Sequence, residues 1–320
     1  MGRWVIIAPE RAERPSAFLR PAPEADGEIC PFCPGNESMT PPELLARREN
    51  GGPWSLRVVP NRYPALRTEL QLVREGLGLF DSTAGVGAHE VVIETPDHRA
   101  TLSDLPADQT VSVLRAWQER MTDLSRDVRL KALIAFKNHG GPAGATLSHA
   151  HSQLMALPFV PEELEAELRA ARRHFAEKER CIFCDVIAQE LRDNDRIVAE
   201  TDGAVVLSPW AARSPFEMWV LPRSHRSSFE SATPEELRAI AEALRNLMRK
   251  IDVALEKPAF NLFLHTTPLR EGANDSYHWH LTLKPVLTLQ AGFEWATGCY
   301  INPTPPEEAA SFLRQTEVFP

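Results

Sequence analysis

Two histidines one residue apart, His149 and His151, followed by Gln153 in "GATLSHAHSQLMALP", are the residues of this chain best spaced for joint chemistry. In an extended segment, side chains at i, i+2 and i+4 leave from one face, so the three polar groups would line one wall. Two further pairs have the spacing of metal ligands: "CPFC", with Cys30 and Cys33, and "CIFC", with Cys181 and Cys184. Five cysteines in 320 residues do not make a disulfide framework. A C-x-x-C can be a thiol redox motif at the start of a helix, but two copies with distant histidines fit zinc better.

The two pairs belong to a repeat. Each half of the chain gives one order of landmarks: C-x-x-C, a single His, then H-x-H. The first half has Cys30, Cys33, His98, then His149 and His151; the second has Cys181, Cys184, His225, then His278 and His280. This is an internal duplication, since stacked arrays need three or more short units. Each copy supplies two thiolates and two imidazoles, a closed tetrahedral shell for structural zinc, with Cys30, Cys33, His98 and His149 in one and Cys181, Cys184, His225 and His278 in the other. His89, His139, His174 and His265 remain as other candidate ligands, so the histidine assignments rest on the repeat.

With His149 tied to a metal, His151 is pinned beside a rigid anchor and available as a nucleophile. A neutral imidazole needs no added base near pH 7 if its other nitrogen donates to a fixed acceptor. Gln153 could give its amide N–H to an oxygen that gains charge in the transition state. In the second copy Thr282 stands where Gln153 would be, so one reaction site per chain is expected, in the first half.

These residues must be carried by regular elements. The first half alternates β-rich runs ("RWVIIAP", "HEVVIET", "LKALIAFKN") with a helix from about Pro106 to Asp127, whose Val111, Leu114, Trp117 and Met121 recur at helical spacing and read as core. The second repeats the scheme with "RIVAET", "AVVLSP", "FEMWVLP", a helix from about Thr233 to Glu256, "FNLFLH" and "HWHLTLKP". Between them "PEELEAELRAARRHFAEKER" reads as a charged linking helix. The expected class is α+β, antiparallel sheets with flanking helices in two tandem domains, 1–160 with the active site and 161–320.

Composition limits the partners. Hydrophobic content of 43% with 25% charged residues is globular, and a formal net charge of −9 argues against coating nucleic acid or an anionic membrane. No apolar run approaches the roughly 20 residues that span a bilayer, and "MGRWVIIAPERAERP" has too short an apolar run for a secretory signal. The expectation is a soluble cytoplasmic protein; the oligomeric state stays open, with a homodimer allowed.

Taken together, the chain resembles the galactose-1-phosphate uridylyltransferase family, which is built from two fused histidine-triad-type domains. The resemblance runs through "WVIIAPERAERPSAF", "CPFCPGNE", "RVVPNRYPAL", "HEVVIETPDH", "FKNHGGPAGATLSHAHSQ", "FEMWVLPRSH" and "GFEWATGCYINPTPPEEAA". It implies two-step transfer from a nucleotide sugar: His151 attacks the α-phosphorus, hexose 1-phosphate leaves, and a second phosphate acceptor takes the nucleotidyl group. It also implies that Arg11 and Arg14 grip phosphate and that Asn61 and Asn138 hold nucleoside and phosphates. In "GGPAGAT", Gly140, Gly141, Gly144 and Thr146 form a turn whose backbone N–H groups could approach phosphoryl oxygens.

Two departures from the uridylyltransferase pattern bear on substrate. The chain reads H-A-H-S-Q in place of H-P-H-G-Q, and it keeps a C-x-x-C in the second half where that pattern has Glu and His ligands; a mixed set with Glu167 or His265 stays open. Both features are similar to a branch that includes plant ADP-glucose phosphorylases. A zinc-stapled nucleotide-binding module without turnover and a dinucleoside polyphosphate phosphorylase are the other readings.

Overall fold

The computed structural model describes residues 29–48, 50–290 and 292–318. The first half contains β1 (Leu45–Arg48), β2 (Trp54–Pro60), a hairpin of β3 (Arg74–Leu77) and β4 (Phe80–Thr83), β5 (Ala88–Ile93), α1 (Ala107–Leu124), β6 (Ala132–His139) and β7 (His151–Leu157). The second contains α2 (Glu162–Lys178), α3 (Ile182–Asp193), β8 (Ile197–Glu200), β9 (Ala204–Leu207), β10 (Met218–Pro222), α4 (Pro234–Ala254), β11 (Phe260–His265), β12 (His280–Pro285), α5 (Gly292–Thr297) and α6 (Pro306–Gln315).

Where the repeat suggests a sheet in each half, the strands form one antiparallel sheet of ten, in the order β1-β2-β5-β7-β6-β11-β12-β10-β9-β8. From its centre outward both halves read alike, β6-β7-β5-β2-β1 and β11-β12-β10-β9-β8. The seam is the β6–β11 pair, with Phe136 opposite Phe263 and Asn138 opposite Asn261. Two five-stranded sheets would each leave an open edge here, and their pairing satisfies both.

Alternation along the strands separates two faces. Leu133 and Ala135 of β6, Leu154 and Ala156 of β7, Leu262 and Leu264 of β11 and Leu281 and Leu283 of β12 point into one core with α1 and α4. The α1 stripe of Val111, Leu114, Trp117 and Met121 is buried there, and Trp117 Nε1 donates to Ser152 Oγ at 2.9 Å. Thr233 and Glu236 close a capping box at the start of α4, which fixes where that helix begins. The alternate residues, among them His89, His151, Gln153, Asn138, Asn261 and His280, face the other side. The segment read as a charged linking helix is α2, between the two halves, and it buries Leu164, Leu168 and Ala171.

Candidate active site and metal-ligand clusters

In the first half Cys30, Cys33, His98 and His149 converge, with their ligand atoms all within 4.8 Å of one another. Cys33 Sγ lies 3.3 Å from His98 Nδ1 and 3.7 Å from His149 Nδ1, and Cys30 Sγ lies 3.6 Å from His149 Nδ1. His149 Nε2 is 2.8 Å from the carbonyl oxygen of Thr95. A carbonyl only accepts, so the proton sits on Nε2 and the Nδ1 lone pair faces the sulfurs. Burial pushes the Cys30 thiol up, so a cation bound here would be what stabilises its thiolate.

The second half repeats this group. Cys181, Cys184, His225 and His278 meet within the same limit. Cys184 Sγ lies 3.3 Å from His225 Nδ1 and 3.6 Å from His278 Nδ1, while His278 Nε2 donates to the carbonyl of Pro222 at 3.0 Å. Cys181 caps the N-terminus of α3, a setting that sequence reasoning reserved for redox pairs. The hydrogen bond from Cys184 pulls the Cys181 thiol down to about 4, and two histidines stand beside the pair. Glu167 and His265 gather around His280 instead, as a third group with ligand atoms within 4.8 Å of one another and His265 Nδ1 2.9 Å from Glu167 Oε2, apart from the Cys181 group. Burial opposes ionisation of Glu167, but His265, His280 and the Tyr277 hydroxyl together hold its carboxyl down at about 2.

His151 opens β7, while His149 precedes the strand and turns to the cysteines. His151 Nδ1 is 2.9 Å from the backbone oxygen of His149, so Nδ1–H donates there and Nε2 carries the lone pair. Burial, then the charge of Lys137, lowers the His151 pKa to about 4, so the ring is neutral near pH 7. Lys137 Nζ is paired with Glu94 at 2.7 Å and also donates to the His151 carbonyl at 3.1 Å, fixing the strand under the imidazole. His280 has a matching bond to the His278 carbonyl, at 3.2 Å. It is stacked on His265 at 4.3 Å and is 1% exposed, against 7% for His151, so the second ring is closed off.

Gln153 follows on the same face, and its Oε1 is 2.8 Å from His89 Nε2. The amide N–H of Ala65 donates to His89 Nδ1 at 3.2 Å, which places the ring proton on Nε2, donating to Gln153. The Gln153 NH2 is thereby left for a ligand oxygen. Asn61 Nδ2 lies 3.1 Å from the same His89 nitrogen, and its Oδ1 accepts from the Tyr63 N–H at 2.9 Å. Asn138, on β6, is bonded across the seam to Asn261 at 2.9 Å.

The glycine turn departs from expectation. Gly140 and Gly144 have φ of +79° and +87°, a region that favours glycine. However, the N–H groups of Ala143, Gly144 and Ala145 close the turn onto the carbonyls of Gly140 and Gly141. Gly144 and Thr146 are exposed on this turn. Arg11 and Arg14 lie outside the described residues.

Sequence reasoning missed Phe32 and Phe183, although a signal was present, since both are the third residue of a C-x-x-C. The Phe32 ring packs edge-on against His151 at 5.3 Å, and Phe183 lies 5.0 Å from His280. The Cys30–Cys33 loop therefore packs directly against the imidazole. Phe32→Ala is expected to cost about 3 kcal/mol of stability and to slow any reaction at His151 by on the order of tenfold, through a loosened ring. Phe32→Leu should recover most of both, as thermal unfolding and single-turnover rates would register. Lys137, Glu94 and Asn261 were also missed as site residues, and His89, named as a spare metal ligand, instead bonds Gln153; all four act through bonds that no spacing encodes.

The chain is similar to known proteins along almost its whole length. Residues 1–161 match the galactose-1-phosphate uridyl transferase N-terminal domain and residues 167–311 its C-terminal domain. ADP-glucose phosphorylase of Arabidopsis thaliana is 35% identical over 323 residues, covering 99% of this chain and 91% of that protein. Galactose-1-phosphate uridylyltransferase of Thermotoga maritima is 31% identical, covering 98% and 96%. Among solved structures, the Arabidopsis thaliana ADP-glucose phosphorylase with bound ADP-glucose superposes with a TM-score of 0.82 at 34% identity, covering 99% of this chain and 96% of that one. A uridylyltransferase structure gives 0.83 at 28% identity, covering 98% and 95%. Two domain matches across both halves, and relatives aligned over almost their whole length, establish that the chain belongs to the galactose-1-phosphate uridylyltransferase family and is an enzyme of the transferase class.

Proposed function

We propose that the chain moves a nucleotidyl group from a nucleotide sugar to a phosphate acceptor through a covalent nucleotidyl–His151. The observation that carries this reading is the fixed tautomer of His151: Nδ1–H is bound by the His149 carbonyl, so a neutral Nε2 presents its lone pair. In the first step Nε2 attacks the α-phosphorus and the bond to the bridging oxygen breaks. Hexose 1-phosphate departs with that electron pair. The ring gains positive charge as it is phosphorylated, and the His149 carbonyl at Nδ1 stabilises that charge. Gln153 and Asn138 supply N–H donors to the non-bridging oxygens. In the second step an oxygen of the acceptor phosphate attacks the same phosphorus, and the bond to Nε2 breaks. Arg11 and Arg14 would bind the diphosphate as guanidinium forks, and Asn61 would hold the nucleoside.

Zinc fits both cysteine–histidine groups. A tetrahedral ion with Zn–S of about 2.3 Å and Zn–N of about 2.0–2.1 Å separates adjacent sulfur and nitrogen ligands by roughly 3.5–3.6 Å, and the sulfur–nitrogen distances are 3.3–3.7 Å. The donor sets are closed, so when bound the two ions per chain would supply rigidity rather than reaction chemistry. Two histidine-triad-like units, 1–160 and 161–320, are the matching domain reading. No described helix is long and apolar enough to cross a membrane, in keeping with a cytoplasmic enzyme, and light scattering would report whether it forms a homodimer.

UDP-glucose with galactose 1-phosphate is the leading substrate pair. A second reading, ADP-glucose cleaved by inorganic phosphate, is supported by H-A-H-S-Q, by the second C-x-x-C and by the 35% identity to an ADP-glucose phosphorylase. The test is hexose 1-phosphate release from each pair. The expected result is release from one of them with double-displacement kinetics, and release from neither would favour a binding module without turnover.

A further inference from the structure

Asn261 belongs to the second half, yet its side chain reaches the reaction site of the first. It stands opposite Asn138 at the β6–β11 seam, and its Nδ2 donates to both Asn138 Oδ1 and the Ala143 carbonyl, each at 2.9 Å. A backbone carbonyl only accepts, so the group between these two oxygens must be the Asn261 NH2. It follows that the Asn138 atom it meets is the oxygen. The Asn138 NH2 then points the other way, beside Gly144, where a Cβ would come within 3.6 Å of it.

Two observations tie this bond to the site rather than to sheet pairing. The N–H groups of Ala143, Gly144 and Ala145 are spent inside the glycine turn, which shifts the donor role at this end of the site to the Asn138 side chain. The bond also lacks a counterpart in the repeat. Phe136 faces Gln153 and Phe263 faces Thr282, so Asn138 corresponds to His265, and Asn261 corresponds to Ile134, which has no amide. A bond needed only to join two similar sheets would have no reason to appear on one side alone.

We propose that Asn261 is a positioning residue for nucleotidyl transfer: by holding the Asn138 oxygen it turns the Asn138 NH2 toward the phosphoryl oxygens of a substrate at His151. This rests on the transfer reading above. The second half thereby contributes to the reaction across the seam, beyond its scaffold role.

The test compares the rate of covalent labelling in rapid-quench intact-mass measurements with UDP-glucose and with ADP-glucose. Asn261→Asp keeps the shape but cannot donate to the Asn138 oxygen; it recruits the Asn138 NH2 and leaves the oxygen facing the phosphate. It should label at least about tenfold more slowly than the unchanged chain, because a transition-state donor is lost. Asn261→Ala should fall between the two. In an Asn138→Ala background neither substitution should slow labelling by more than about twofold, because residues acting through one another are not additive. Equal slowing in both backgrounds, or no slowing by Asn261→Asp, overturns the proposal. Should Asn261→Asp fail to fold, Asn261→Ala and its double variant decide alone. An unchanged chain that forms no adduct with either nucleotide sugar overturns the transfer reading and this inference together, whereas an adduct with additive losses overturns this inference only.

Discussion

His151→Ala is expected to form no covalent adduct with any nucleotide sugar, and turnover should fall by on the order of 10⁴ or more, as for loss of a nucleophile that acts as part of a unit. The fold should survive. The side chain is buried on the face of β7 away from the α1–α4 core, the strand is held by Lys137 through the His151 carbonyl, and the Cys30 group does not include this ring. Metal content should therefore be unchanged and the stability loss within about 2 kcal/mol. His151→Gly opens room for added imidazole, and partial recovery would place the missing chemistry in the ring itself. His280→Ala is the matched control: its ring has the same bond to a backbone carbonyl but is buried against His265 and Trp219, and labelling should persist. An adduct on His151→Ala would sink the mechanism, and its mass on the unchanged chain names the nucleotide transferred.

The contrast between the two histidine pairs shows how much of the site could be read in the sequence. The ligand order was legible because cysteine pairs and H-x-H are rare and occurred twice, and the groups so identified do converge. Helices α1 and α4 were legible because their apolar stripes repeat at helical spacing. The continuity of the sheet was not, since β6 and β11 are far apart in the chain and a strand carries no mark of which edge it will meet. Strands β1 and β2 were not assigned, since they lie in a run interrupted by Pro, Gly and Arg. Helix α3 was not foreseen because its first turn holds the C-x-x-C itself, whose spacing was assigned to metal ligands. The bonds that hold the site, His89 to Gln153 and Asn261 to Asn138, were invisible for a different reason. Each acts across a strand boundary, through a hydrogen bond whose direction depends on a third group, the Ala65 N–H or the Ala143 carbonyl.

His149→Ala should fail in another way from His151→Ala, though the two residues are separated by a single alanine. It removes one of the four ligands proposed for zinc and also leaves the Thr95 carbonyl, buried beside it, without its donor. Metal binding adds to stability only in the folded state, so a weakened site lowers both together. The expected loss is about 4 kcal/mol, several times that of a surface change, and the unfolding midpoint should drop by roughly 10 °C. Metal analysis should find one equivalent fewer per chain, with the group at Cys181 retained. Activity should fall as well, but for an indirect reason. The acceptor for His151 Nδ1–H is the backbone oxygen of residue 149, which alanine keeps, so the nucleophile loses position rather than its proton partner. Residual covalent labelling at a reduced rate is therefore expected below the new midpoint, and it should improve on addition of excess zinc. The Cys30→Ser variant should behave alike, since it opens the same shell from the opposite side. A His149→Ala protein with full metal content and unchanged stability would remove His149 from the shell. One that keeps its metal but loses all labelling would mean that the side chain of His149 takes part in the reaction itself.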